Sequence, residues 1–299
     1  MAKIALFGCS GMLGTQLKDD LNRAGHELVI FVREAGDLHN AKTWNPETGE
    51  LKREDLAGVD TVIHLGGVNI ACRWNKKNKE KILKSRVDST ALIARTLAKM
   101  TDPPKSFFVA SAIGFYGAHS DLNLIEGTVP GKGFLADVCK KWEKAADPAK
   151  QAGIRTVHLR FGVIIGDTGG MLKKQLPFFK IMLGGPVGSG KQFMSWISLM
   201  DASLAVRHLL DKEDIKGPIN IVAQKPITNK EYTVALSKQV SMPAFLPMPQ
   251  SAAKLVFGEM ADETMLASQK VSSKRLQETG YVYKHLNIHE ALKYYVKKD

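Results

Sequence analysis

The chain has 299 residues, 44% of them hydrophobic and 24% charged, a composition near the globular average that excludes disordered and fibrous classes. Its 42 Lys and Arg against 30 Asp and Glu leave a net charge of +12. That balance puts anionic ligands and nucleic acid among the partners to be weighed.

At roughly 150 residues per domain the length fits two domains, or one bilobed α/β domain. Cys9, Cys72 and Cys139 are odd in number and lack CxxC spacing, which argues against a disulfide framework or a structural zinc site. No apolar run is long enough to span a bilayer. Met1-Ala2-Lys3 leads straight into a strand-like run with no signal segment. A cytoplasmic protein without a membrane partner is expected.

Lys3-Ile4-Ala5-Leu6-Phe7 is a short apolar strand closed by Gly8. Met12, Leu13, Leu17, Leu21 and Ala24 recur at helical spacing and predict a helix over 12–24, ended by Gly25. Strands are expected over 26–32 and 60–65, the second running into Gly66-Gly67. A long helix with a polar face covers 76–100 and stops at Asp102-Pro103-Pro104. A strand over 106–110, a helix over 135–150 and a strand over 156–165 follow. Strands alternating with helices imply right-handed βαβ units and a doubly wound parallel sheet of the Rossmann type.

Past Gly166 the texture changes. Gly and Pro gather in 167–192, a helix is expected over 201–210, and Ile219-Asn220-Ile221-Val222 reads as a strand returning to the sheet. Three prolines between Pro243 and Pro249 precede further helical segments. The expected organisation is a Rossmann core over 1–166, an irregular substrate-lobe segment over 167–198, a return to the core over 199–226 and a C-terminal lobe over 227–299. The smaller lobe is therefore discontinuous.

Gly8-Cys9-Ser10-Gly11-Met12-Leu13-Gly14 is a GxxGxxG set between a strand and a helix. The first glycine allows the tight turn, the second lets backbone approach a pyrophosphate, and the third lets the helix pack closely on the strand. The helix N-terminus then offers its amides to phosphate. The second strand ends Phe31-Val32-Arg33, with an apolar residue where an NAD site carries an acid. A guanidinium there suits a 2′-phosphate, so NADP(H) is expected over NAD(H).

These motifs join others in a fixed order: Ser111-Ala112-Ile113-Gly114-Phe115-Tyr116-Gly117, Gly184 to Gln192, Ser195-Trp196-Ile197 before Asp201, and Gly258-Glu259-Met260 before Gln269. Together they resemble the nucleoside-diphosphate-sugar epimerase-like proteins of the atypical extended short-chain dehydrogenase/reductase superfamily, including that family's C-terminal domain of unknown function. The resemblance implies a seven-stranded parallel sheet, a nicotinamide cofactor and a substrate lobe above the strand carboxyl ends. Carried over by position, it places Gly8, Ser10, Gly11, Met12, Leu13, Gly14 and Arg33 around the adenosine and phosphates. It also sets Leu65 and Gly66 beside the cofactor, Ser85-Arg86 next to the nicotinamide ribose, and Ser111 and Tyr116 at the edge of the nicotinamide pocket.

Two departures stand out against that family. Its usual Tyr-xxx-Lys pair puts a phenol and an ammonium on one helix face. Only Tyr294 and Lys298 have that spacing here, in the terminal tail, and the helix where the pair belongs (133–143) contains no tyrosine. Gln192-Phe193-Met194-Ser195-Trp196 also lacks the arginine that nucleotide-sugar-binding relatives carry.

Ser111 is left to orient a substrate oxygen, with Tyr116 as the remaining candidate acid/base. Lys132 or Lys140 is weighed as the source of the missing cation, and Glu126 and Asp121 as carboxylate bases, each against a solvated surface. His285 and His289 read as an exposed pair at a helix start, and no metal site is expected. The basic stretch Arg73 to Lys81 reads as a solvated helix face rather than a nucleic-acid site. The expected function is an NADP(H)-dependent oxidoreductase or epimerase-like enzyme on a small polar, sugar-like substrate, acting as a monomer or homodimer. The competing class is a non-catalytic NADP(H) sensor or scaffold.

Overall fold

The computed structural model describes residues 1–34, 41–118 and 122–296. Seven strands form its main sheet: β1 (Lys3–Phe7), β2 (Glu27–Val32), β3 (Lys42–Thr43), β4 (Thr61–His64), β5 (Ser106–Ala112), β6 (Arg155–Phe161) and β7 (Gly217–Ile221). Their order across the sheet is β7-β6-β5-β4-β1-β2-β3. β1 pairs in parallel with β2 and β4, β2 with β3, and β4 with β5. The central strands are covered on both faces, so their side chains are apolar at successive positions rather than alternate ones. Ile4 to Phe7, Val62-Ile63 and Phe107 to Val109 are all fully buried.

Helices α1 (Met12–Arg23), α2 (Lys76–Ala98) and α3 (Phe134–Lys144) follow β1, β4 and β5. α1 turns Leu17 and Leu21 inward, and α2 buries Ile82, Ser89, Ile93 and Leu97. Asn75 starts α2 by accepting the Asn78 N–H on its side-chain oxygen at 2.8 Å. Strand order reverses between β1 and β4. In open α/β sheets that reversal opens a crevice outside the strand carboxyl ends.

The chain divides into two units: Met1–Ala112, Asp137–Arg160 and Ser203–Ile219 in the first, and Ile113–Ala136, Phe161–Ala202 and Asn220–Asp299 in the second. Within the second, Val163–Ile165 pairs in parallel with Trp196–Ser198. Helices Gly170–Lys180, Asn229–Val240, Gln250–Phe257 and Ile288–Tyr295 make up much of the rest. A small core of Val187, Ala253 and Ala261 is closed by Met248, Phe257, Met265 and Leu266.

Three expectations about elements change. The strand over 156–165 is interrupted at Gly162, and its last three residues leave the main sheet for Trp196–Ser198. The helix over 135–150 is two, because Pro148 opens a new short helix, Asp147–Gln151. Segment 167–198 is more regular than its glycines predict, since Gly170–Lys180 is helical even with Pro177 inside it. Among the described residues no helix is long and apolar enough to cross a membrane.

Candidate functional site

The glycine loop folds as its spacing demands. Gly8 has φ +87°, and a side chain there would meet the Gly66 backbone N at 2.7 Å. At Gly14 a Cβ would sit 2.1 Å from the Gly8 carbonyl oxygen, so α1 packs directly on the loop. Gly11 differs: the nearest atom to its would-be Cβ is 3.7 Å away, and Ser10 and Gly11 are exposed. No side chain caps α1 at Gly11. Its first amides and the positive end of its dipole are thus offered to an anion. Met12 and Leu13 form the first turn, half-buried.

β4 ends at His64, and Leu65-Gly66-Gly67 turns beside the loop. The Leu65 N–H donates to the Phe7 carbonyl at 2.9 Å. His64 is fully buried under this turn, its Nδ1 accepting the Gly66 N–H at 3.4 Å and its Nε2 lying 2.8 Å from Ser89 Oγ. Burial, aided by the positive Arg33 and Arg86, lowers the imidazole to about 3. The ring is therefore neutral, with its proton on Nε2. Arg33 stands exposed just past the end of β2. Arg86, on α2, packs under Gly67 and over the Trp142 ring.

At the end of β5, Ser111 is buried and donates from Oγ to Glu143 Oε1 at 2.7 Å. Glu143 is also clasped by Arg160, Nε to Oε1 and Nη2 to Oε2, both at 2.8 Å. This bidentate, largely buried pair fixes the carboxylate that holds Ser111. Cys139, one turn earlier on α3, is pushed up to about 12 by burial and by the Glu143 carboxylate, and stays a thiol. Neither Glu143 nor Arg160 could be assigned from the sequence, because the bond to Ser111 joins residues 32 apart.

In the second unit Tyr116 is 0% exposed and donates its hydroxyl to Asn220 Oδ1 at 2.6 Å. Asn220 is held by Glu126, which accepts its backbone N–H at 3.0 Å, and it donates from Nδ2 to the Ser272 carbonyl. The turn Ile113–Tyr116 is closed by Gln269, whose amide donates to the Ile113 and Gly117 carbonyls at 3.1 and 2.7 Å. Ser195 Oγ donates to the Gln269 carbonyl and accepts the Val271 N–H. Several of the motif residues that lie far apart in the chain are thus hydrogen-bond partners.

Of the other candidates, Lys132 is exposed and Lys140 pairs with Asp137 at 3.0 Å. Asp121 and Lys298 lie outside the described residues. His289 is exposed as expected, but His285 is buried, and this corrects the reading of an exposed pair. Ser198 Oγ donates to Asp201 Oδ2 at 2.7 Å and lies 2.9 Å from His285 Nδ1. The Tyr281 hydroxyl and the Lys284 and His285 N–H groups also donate to Asp201. No cluster of three His, Cys, Asp or Glu able to hold a metal occurs among the described residues.

Comparison with known proteins agrees with this architecture. Residues 4–222 match the model of the NAD dependent epimerase/dehydratase family, and residues 248–294 match a domain of unknown function. The epimerase family protein Mb2239 of Mycobacterium bovis is 38% identical over 98% of this chain and 97% of its own length. The human epimerase family protein SDR39U1 is 32% identical over 97% of this chain and 98% of its own. A crystal structure of the human protein with NADPH superposes with a TM-score of 0.89 at 31% identity, covering 98% of both chains. The expected Rossmann-type fold is that of its structural neighbours, and the chain belongs to the NAD-dependent epimerase/dehydratase family of short-chain dehydrogenase/reductase-type proteins, with the family's C-terminal domain of unknown function.

Proposed function

We propose that the protein binds NADP(H) and acts as an oxidoreductase or epimerase-like enzyme on a small polar, sugar-like molecule. The observation that carries this is the glycine cradle: Gly8 and Gly14 are packed where no side chain fits, while Gly11 and the uncapped start of α1 stay open. Ser10, Gly11, Met12 and Leu13 would meet the phosphates through backbone amides, and Leu65 and Gly66 would flank the cofactor. Arg33 would take the 2′-phosphate. The NADPH bound by the human relative supports the phosphorylated form.

When bound, the nicotinamide supplies or accepts hydride, and the chain's own groups handle the proton. Ser111 gives its hydrogen to Glu143, which leaves the lone pairs of Oγ as the acceptors for a substrate hydroxyl. As the substrate alcohol is oxidised, its carbon would give up hydride to the nicotinamide while its hydroxyl proton would pass to Ser111 Oγ and the Ser111 hydrogen to Glu143 Oε1, leaving a carbonyl on the substrate and a protonated carboxyl at Glu143. Arg160 keeps the acceptor carboxylate aligned. Tyr116 holds Asn220 and serves as a positioning residue. A small-molecule substrate suffices as partner, with the chain as monomer or homodimer.

A second reading, an NADP(H) sensor without turnover, is favoured by the burial of Tyr116 and the engagement of its hydroxyl. Absorbance of NADPH with a panel of carbonyl compounds separates the two. Turnover that falls in Ser111→Ala marks an enzyme; silence with unequal NADPH and NADP⁺ affinities marks a sensor.

Arg33 is tested by binding alone. NADPH is expected to bind at least about tenfold tighter than NADH, and Arg33→Ala to remove most of that ratio. An unchanged ratio rejects Arg33 as the 2′-phosphate ligand.

A further inference from the structure

α2 passes the turn beside the glycine loop at Ser85, whose Oγ accepts the Val68 N–H at 3.1 Å. It then runs on for more than three turns. At a rise of about 1.5 Å per residue, Arg95 and Lys99 lie roughly 15 and 21 Å further along its axis. There a cleft of about 260 Å³ opens between α2 and the segment 49–53. Arg53, Arg95 and Lys99 line it, all three exposed, and no carboxylate of the described residues does.

These cations are poorly compensated by the protein. Arg53 Nη1 donates to the Lys99 carbonyl at 3.3 Å. Among the described residues neither Arg95 nor Lys99 forms an ion pair or a side-chain hydrogen bond. Other helical lysines find an acid one turn away: Lys84 pairs with Glu80 at 2.7 Å and Lys140 with Asp137 at 3.0 Å. Along α2 the last acid is Asp88, and one turn either side of Arg95 stand Ala91, Leu92, Ala98 and Lys99. Arg95 and Lys99 are thus like charges four apart on a helix, which costs helix stability. The negative end of the helix dipole accounts for a cation there. It does not account for a third one, brought to the same cleft from another segment.

The frame that brings it is set in advance. Asn45 and Glu50 exchange backbone hydrogen bonds at 2.8 Å, and Asn45 Oδ1 accepts the Glu47 N–H at 2.9 Å. Gly49 closes that turn at φ +77°, and a Cβ there would meet nothing within 4 Å, so this side of the cleft is open. Leu51 and Leu92, both half-buried, supply apolar wall, and the buried Thr96 lines the cleft with them.

We propose that this cleft is an anion site separate from the glycine cradle, and that it takes a small phosphomonoester. The two guanidiniums and the Lys99 ammonium receive the phosphoryl oxygens, and the carbon body of the ligand covers Leu51 and Leu92. Planar guanidiniums suit a phosphate that accepts from several donors at once. Inorganic phosphate would leave the leucines wet. A cleft of about 260 Å³ admits a small molecule and no duplex.

The test saturates the full-length protein with NADPH, to fill the cradle, and titrates phenyl phosphate by calorimetry at physiological ionic strength. One phenyl phosphate per chain should bind, at least about tenfold tighter than inorganic phosphate. Phenol, which lacks the phosphate, should give no measurable heat. Arg95→Met should weaken phenyl phosphate at least about tenfold and leave the NADPH Kd unchanged within about twofold. Arg53→Met should weaken it similarly, but Arg95 is exposed and unpartnered among the described residues, so its variant carries the test if the other unfolds. Lys84→Met, on the same helix but outside the cleft, should change neither affinity. The proposal is overturned if wild type binds no phenyl phosphate or if Arg95→Met binds it like wild type. It is overturned equally if Lys84→Met loses as much as Arg95→Met, which would mean diffuse attraction to a basic surface. Equal affinity for inorganic and phenyl phosphate also overturns it, since the cleft would then hold an adventitious ion only. If wild type binds no NADPH, the cradle reading falls, and the comparison of Arg95→Met with wild type still decides the cleft.

Discussion

His64 can accept from Gly66 only while Nδ1 is unprotonated, so the shape of the Leu65–Gly67 turn is tied to the charge on this ring. Its folded-state value of about 3 lies below the ordinary 6.5. The unfolded chain therefore binds a proton that the native protein refuses, and the stability this ring contributes, complete above pH 6.5, drains as pH falls toward 3. Between pH 7 and pH 5 that amounts to about 2 kcal/mol from His64 alone. His64→Asn, which keeps an acceptor near the Nδ1 position and cannot titrate, should flatten urea-derived stability over that interval; an equal slope in both proteins would show that another group is responsible. At this scale the glycine loop was legible because its demands are local: a positive φ at Gly8 and a close helix at Gly14 follow from seven consecutive residues. The partner of Ser111 was not, because nothing in the sequence of α3 marks Glu143 among its other polar residues until the fold brings it within 2.7 Å.

Elements whose burial is set by neighbours along the chain were foreseen, and those set by distant partners were not. β1, α1, β4 and β5 lie close to where apolar runs and helical spacing put them. The return at Gly162 and the regular helix at Gly170–Lys180 depend instead on the Trp196–Ser198 strand and on packing that no local pattern encodes. The helix Leu199–Leu210 is the clearest case. Ser198 and Asp201 have capping-box spacing, and the Asp201 N–H does donate to Ser198 Oγ at 3.0 Å. What the spacing could not tell is that the same carboxylate also takes Tyr281, Lys284 and His285, more than 75 residues on. Removing it would leave several buried donors without an acceptor. Asp201→Ala is expected to cost about 3 kcal/mol or more in equilibrium denaturation, with Asp201→Asn intermediate. A loss below about 1 kcal/mol would mean that water replaces the carboxylate easily.

For the molecule as a whole, the excess of twelve positive charges is shared between exposed lysines and a few placed guanidiniums. Arg73, Lys76, Lys77 and Lys81 are exposed at and around the start of α2, as a solvated face requires. Such a surface attracts polyanions through counterion release, without a shaped site. Duplex DNA should therefore bind with a steep salt dependence and be lost near physiological ionic strength, while NADPH binding persists there. Measured over a salt series, displacement of NADPH by DNA at physiological salt would contradict this division.

Gln269 carries one more consequence. A single side-chain amide, more than 150 residues away, closes the turn after the central strand, and the Ser272 carbonyl braces the asparagine that receives Tyr116. The stretch matched as a domain of unknown function therefore completes the hydrogen bonding of the stretch matched as the epimerase family. A minimal version cut after residue 222, or a graft of one onto a foreign partner, would strip these bonds. The two stretches can drift in sequence, but only as a pair.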